Sequence, residues 1–394
     1  MERCIFCPNE LDKYTALEHI LPNALGGRKT TRKAICSDCN NKFGSSIDKS
    51  LTSQVEIIRN LLQLQSGSGK KPPMLRNIQS GENTVHFRND GTPELVDKPF
   101  TEEPQDDGTT VVSVKARSEE ELRKVIPHIA AKFGLSIEEV KDRIEASNAS
   151  VISQPIDRVH HRIVFGGEEA LRSITKSCLV LWSSLVGSEE LRSSAYDDAR
   201  EFVITGNAHF NDSRIQLDSR HLPIEEGLTS QFGDIFNLLY LRSNSAGRLV
   251  GHFTMFNAVS WQIILADSGA VPDLCIGLVS NPFRPEDWSD AIANELEIDF
   301  DWLNSPTFND FQRAQERLNT IIGLYVERAR SSEISRIVDG VCNRRGLSED
   351  DPIPSEILDE MVNEISDQSA HFALRLRHER PLTPSEIRAI LTRE

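Results

Sequence analysis

The spacing of apolar and polar positions changes along the chain, and each change marks an element. Leu17-Glu18-His19-Ile20 alternates as a short strand, and Lys33-Ala34-Ile35 forms a second short segment, with a helix expected to begin near Asn40. Residues 51–64, LTSQVEIIRNLLQL, carry apolar positions at a helical period. The polar stretch SGSGKKPP at 66–73 reads as a flexible breaker and a domain boundary. Residues 74–116 then read as short strands with hairpin turns at Asn89-Asp90-Gly91 and Asp106-Asp107-Gly108. A helical hairpin follows over 118–148, with capping boxes at Ser118/Glu121 and Ser136/Glu139 and Gly134 as the intervening C-cap.

From about residue 155 the pattern is α+β. RVHHRIVF predicts a strand, with one of His160 and His161 pointing inward. Residues 166–187 predict a buried helix with an almost wholly apolar middle, and 188–204 a second, amphipathic helix. The runs FNLLYLRS, LVGHFTMF, SWQIILA and LCIGLVS predict an antiparallel meander packed on those two helices. Residues 308–347 and 354–394 return to helix. The expected division is a small module at 1–65, a hairpin-rich segment at 66–150, an α+β domain at 151–300 and a helical region at 301–394. The fold class is α+β, multidomain.

Composition fits a globular protein: 394 residues, 38% hydrophobic and 26% charged. No run approaches the roughly 18 apolar residues of a membrane span, and Cys4 and Cys7 stand where a signal-peptide core would lie. A cytoplasmic location without a membrane partner is the expectation. The formal charge is −16, which argues against a surface coated for nucleic acid. Its distribution changes that picture. Residues 1–75 hold 11 Lys and Arg against 7 Asp and Glu, a net of +4, which leaves −20 for the remainder. The basic share sits in the module with the candidate chemistry.

That chemistry begins with cysteine. Cys4-x2-Cys7 and Cys36-x2-Cys39 form a four-thiolate pattern, the ligand set of a structural zinc site. So small a unit buries little core, so the metal would supply its folding free energy. The other three cysteines, Cys178, Cys275 and Cys342, lie in apolar surroundings and read as free thiols. His209, His221, His252 and His371 show no spacing that suggests a ligand set.

Three segments, CIFC, EHILPNALGG and ICSDCNNKFG, match in order and spacing the HNH endonuclease family in its zinc-stapled branch, and the resemblance covers about the first 50 residues. It implies a ββα-metal fold. It also implies that His19 is the general base that activates water, and that Glu18 and Asn40 are ligands of one catalytic divalent ion, Mg²⁺ or Mn²⁺, on the scissile phosphate. The family's base-orienting asparagine is replaced here by Thr31, and Asn23 and Asn41 stand nearby. Arg28, Lys29, Arg32 and Lys33 form a basic run beside the site, suited to positioning phosphate without reading bases. The resemblance implies DNA as substrate. By analogy it also implies an anti-phage defence effector whose C-terminal part senses a ligand, binds a partner protein or forms a homo-oligomer. A zinc-stapled nucleic-acid-binding or adaptor protein without catalysis stands as the alternative.

Overall fold

The computed structural model describes residues 2–392 except 97, 117, 154, 155, 157, 158, 160, 161, 349 and 350. The chain forms two compact units. One comprises residues 1–75, 88–91 and 161–326, and the other 76–87, 92–160 and 327–394.

The first unit is built on a six-stranded antiparallel sheet. Its strands lie in the order Trp288–Ser289, Cys275–Ser280, Asn237–Ser243, Leu249–Met255, Val259–Ala266 and Ile215–Asp218. The expected meander therefore holds for three strands only. The strand Cys275–Ser280 returns to the open edge of Asn237–Ser243, because the far edge of Val259–Ala266 is already paired with Ile215–Asp218. The sheet is covered on both faces, so its strands read as nearly continuous apolar runs. Leu238 and Tyr240 pack into one cluster with Leu228, Phe236, Ile292 and Leu303. On the other face runs the helix Glu168–Val186. There the bare Cα of Gly251 gives it room, since a Cβ at that position would lie 3.3 Å from Cys178 Sγ.

The helix Glu168–Val186 is buried almost all round from Ala170 to Ser183. One side meets the sheet and another meets the N-terminal module. That position explains its apolar middle, for a helix with no solvent face has no use for a polar stripe.

The module contains β1 (Glu18–His19) and β2 (Thr30–Thr31), an antiparallel pair, followed by α1 (Ser37–Ser45), α2 (Ile47–Ser53) and α3 (Glu56–Leu61). The single helix expected over 51–64 is broken between α2 and α3. Val55 leaves helical geometry, at φ −113° and ψ 7°. The Gln54 amide instead binds the backbone of Gly166, donating to its carbonyl at 2.6 Å and accepting from its N–H at 3.0 Å. Residues 66–73 do not leave as a free linker. Gly67 N donates to Asn23 O at 2.8 Å, and Ser68 N to Asn23 Oδ1 at 2.9 Å.

Two further expectations are modified. The helix expected over 188–204 opens with two 3₁₀ turns, Glu190–Arg192 and Ser194–Tyr196, before Asp197–Thr205. Ser193 is extended between them, at φ −66° and ψ 158°, and the break lets the Tyr196 hydroxyl accept from Trp182 Nε1 at 3.0 Å. The strand expected at RVHHRIVF is not seen at 162–165, while Arg158, His160 and His161 lie outside the described residues.

The second unit holds the expected hairpins, Asn83–Phe87 with Pro93–Leu95 and Phe100–Pro104 with Thr110–Val114. Its helical hairpin, Glu119–Phe133 and Ile137–Glu145, is capped as the sequence predicts. Ser118 accepts from Glu121 N, Ser136 and Glu139 form a reciprocal box, and Gly134 is left-handed at φ 65°. Val125, Ile126, Ile129 and Val140 bury against Ile387 and Leu391 of the C-terminal helix Pro384–Thr392. A strand pair not foreseen from sequence joins Ser150–Ser153 to His378–Pro381. The 33-residue helix Gln312–Arg344 is shared by the two units. No described helix is long and apolar enough to cross a membrane.

Candidate active site and metal centre

The sulfurs of Cys4, Cys7, Cys36 and Cys39 lie within 4.8 Å of one another, and they are the only such cluster of metal-binding side chains among the described residues. The first pair sits on a tight knuckle closed by Cys4 N donating to Asn9 O at 2.8 Å. The second pair is carried by the start of α1, with Cys36 at its N-cap. The knuckle is pinned to the second pair through Ile5 N and Ala34 O, 2.9 Å apart. Ile5 and Phe6 bury beneath it, and the Phe6 ring meets Phe43 of α1 edge-on at 5.1 Å.

Four thiols this close share protons unequally. Hydrogen bonding from Cys39 draws the Cys4 thiol down to about 5, while burial pushes Cys7 up to about 11. Cys39 is pushed up as well, chiefly by its bond to Cys4. A divalent metal would replace the shared protons and hold all four as thiolates. The donor set is that of structural zinc.

The body clamps this cluster. Arg192 donates from Nη1 to the Cys4 and Cys7 carbonyls at 2.6 and 2.8 Å, and Arg200 Nη1 reaches the Ile5 carbonyl at 3.3 Å. Elsewhere the Asn237 amide donates to the Leu25 carbonyl at 2.9 Å. Module and body therefore share buried polar contacts, not only apolar ones.

Of the candidate catalytic residues, Glu18 and His19 occupy β1 and project to opposite sides. Glu18 is 4% exposed. Its Oε1 lies 2.6 Å from Nζ of Lys176, a residue of the helix Glu168–Val186 that is itself 1% exposed. The same ammonium is 2.6 Å from Asp48 Oδ2, and Ser173 donates to Asp48 Oδ1 at 2.5 Å. Burial pushes the Glu18 carboxyl up, against the pull of Lys176. Burial opposes the charge on Lys176, but Asp48 and Glu18 outweigh it and raise the ammonium above its ordinary value. With all three groups charged, two carboxylates and one ammonium leave one excess negative charge beside β1.

His19 is half-buried, and its ring takes no hydrogen bond among the described residues. Burial, and then the charge of Lys176, hold its pKa below the ordinary 6.5. The neutral, proton-accepting form is thereby favoured near neutral pH.

Asn40, on α1, donates through Nδ2 to the Leu17 carbonyl at 3.0 Å, which ties α1 to the entry of β1 and leaves Oδ1 without a partner among the described residues. The position expected to orient the base does not do so. Across the ladder Thr31 faces Glu18, and Thr30 faces His19. Thr31 Oγ1 accepts from Lys33 N at 3.0 Å. Asn23 is committed to Ser68, and Asn41 is exposed on α1.

The basic run is partly occupied. Lys29 pairs with Asp290, Arg28 donates to the Gly67 carbonyl at 3.0 Å and Arg32 to the Thr15 carbonyl. Lys33, 4.0 Å from Glu2, has a side chain 77% exposed. Sequence reasoning missed Lys176, Asp48 and Arg192. For Lys176 a signal was present. A single lysine in the apolar run Ile174 to Trp182 is a charge that must find a buried acid.

A cysteine-stapled metal module with an acid-histidine pair on its ladder, seated on an α+β body, is the class that this fold and site define. Compared with known families, residues 4–56 match the model described as HNH endonuclease, over the N-terminal module. Neither the curated proteins nor the solved structures gave a match. The family match covers the module and not the body. It supports a metal-dependent nuclease, and DNA is the substrate it implies.

Proposed function

We propose that the protein is an endonuclease that hydrolyses DNA phosphodiester bonds, with His19 as general base and Cys4, Cys7, Cys36 and Cys39 on structural zinc. The observation that carries this reading is that Glu18 and a half-buried His19, its pKa lowered by burial, are adjacent residues of β1 in the four-cysteine module. Glu18 Oε2 and Asn40 Oδ1 take no hydrogen bond among the described residues, and two carboxyl groups, Glu18 and Asp48, share the one ammonium of Lys176. Oxygen donors of this kind suit Mg²⁺ or Mn²⁺ better than zinc. Such an ion, when bound, supplies neutralisation of charge on the scissile phosphate and on the leaving oxygen.

The chain's own residues supply the rest. His19 accepts the proton of the attacking water, and its depressed pKa leaves a ring nitrogen free to do so. Arg28, Arg32 and Lys33 are exposed beside β2 and hold the backbone of the substrate by charge alone. The body is the regulatory part in this reading, and an anti-phage defence effector is its setting. The support is that body residues Lys176, Arg192 and Asn237 reach the module directly.

Purified protein with Mg²⁺ or Mn²⁺ is expected to nick or degrade plasmid DNA, and His19→Ala to abolish it. Equal cleavage by the variant would overturn the assignment. A second reading, a zinc-stapled DNA-binding protein without catalysis, is favoured by the lack, among the described residues, of any hydrogen bond orienting His19. It predicts zinc content and DNA binding with no cleavage under either ion.

A further inference from the structure

The Glu18 carboxylate is gripped on one oxygen only. Lys176 takes Oε1, while Oε2 accepts nothing among the described residues. Lys176 in turn is fixed by Asp48, and Asp48 by Ser173, three residues before Lys176 on the same helix. The chain of contacts is closed by a hydrogen bond or ion pair of 2.5–2.6 Å at every link and ends on Glu18.

Its energetic cost is high. An ammonium removed from water loses its solvation, and the pairing offsets this only with good geometry. Along the same helix, Ile174, Cys178, Leu179 and Val180 are fully buried and apolar. A methionine would fill the same space without that cost if no carboxylates were there. Two carboxylates brought together at β1 and α2 would repel each other and swing apart or take up protons. The ammonium between them gives each oxygen a counter-charge at 2.6 Å and holds both in place.

We propose that Lys176 is a positioning residue of the nuclease site: it fixes Glu18 through Oε1 so that Oε2 is presented to the divalent cation, and so makes the body helix Glu168–Val186 a working part of the module. Residues around a ligand that fix its orientation commonly contribute 10–100-fold to metal affinity. This inference rests on the reading of Glu18 as a metal ligand.

The test uses the full-length, zinc-loaded protein and Mn²⁺ alone as probe, with binding followed by electron paramagnetic resonance. Lys176→Met is expected to weaken Mn²⁺ binding about 10–100-fold, and to raise by the same factor the Mn²⁺ needed for half-maximal plasmid cleavage. Zinc content and metal-free DNA binding should stay at wild-type values, which a merely unfolded module would not allow. Lys176→Gln keeps a donor in the same space and serves if the methionine variant fails to fold; its loss should run in the same direction. Unchanged Mn²⁺ affinity in a variant that still holds zinc and DNA overturns the proposal. Tighter Mn²⁺ binding overturns it too, since Lys176 would then be a competitor of the ion. Glu18→Gln separates the two levels. If it binds Mn²⁺ as wild type does, the metal-site reading falls and this proposal with it. If Glu18→Gln loses Mn²⁺ while the Lys176 variants keep it, this proposal alone falls.

Discussion

The clamp of Arg192 on the zinc knuckle makes a prediction about cooperativity. One guanidinium nitrogen donates to both the Cys4 and Cys7 carbonyls, at 2.6 and 2.8 Å. Hydrogen bonds from a charged donor contribute about 1.5–3 kcal/mol each. Arg192 is only half-buried, so the lower bound for the two together, about 3 kcal/mol, is the appropriate figure for Arg192→Met. The exposed pair of Arg3 with Glu189 at 2.9 Å, beside the same knuckle, adds little because water screens it. All four tryptophans, Trp182, Trp261, Trp288 and Trp302, lie in the body. Tryptophan fluorescence therefore reports the body, and a chromogenic zinc chelator reports the module. In a urea titration the two signals should change together in the wild type. Arg192→Met should lower unfolding free energy by about 3 kcal/mol and move zinc release to lower urea than the fluorescence change. Zinc release well ahead of the fluorescence transition in the wild type would refute the reasoning. So would an Arg192→Met protein as stable as the parent.

Two further outcomes follow from the same packing. His252 is fully buried in the sheet, and burial, partly offset by Asp218, lowers its pKa to about 4 from 6.5. The unfolded chain therefore takes up the proton first. The stability of the neutral ring is fully present above 6.5 and is lost as pH falls toward 4, by up to about 3 kcal/mol. His252→Gln should flatten the denaturation midpoint over that window, and an unchanged slope would count against it. Gly67→Ala would put a Cβ 2.0 Å from the Gly27 carbonyl oxygen, whereas Gly44→Ala meets nothing within 4 Å. Limited proteolysis should cut the Gly67 variant within 66–73 and leave the Gly44 variant as resistant as wild type; equal resistance of both would refute the tie between that segment and the module.

Much of the local structure was legible in the chain. Ser136 and Glu139 form the box that their spacing predicts, and Gly134 takes the left-handed turn that ends the preceding helix. These features depend on residues three or four apart, and sequence displays such distances directly. The break between α2 and α3 was not legible. It depends on Gln54 finding the backbone of Gly166, 112 residues away. The strand order failed as a meander for a similar reason, since edge pairing depends on which edge is left open by a distant strand.

The site divides along the same line. By itself the sequence determined the four-cysteine cluster, because metal ligands come in short fixed spacings, and the acid, histidine and asparagine entered only as what the family resemblance implies. Only the tertiary structure decided what surrounds them. It turned Thr31 toward Glu18 and away from His19, through the two-residue alternation of a strand pair. It brought Lys176 from a helix more than 150 residues away onto Glu18 Oε1, where a buried carboxylate demands a counter-charge. The four cysteines lie within the first forty residues, and the contacts that clamp them come from the body.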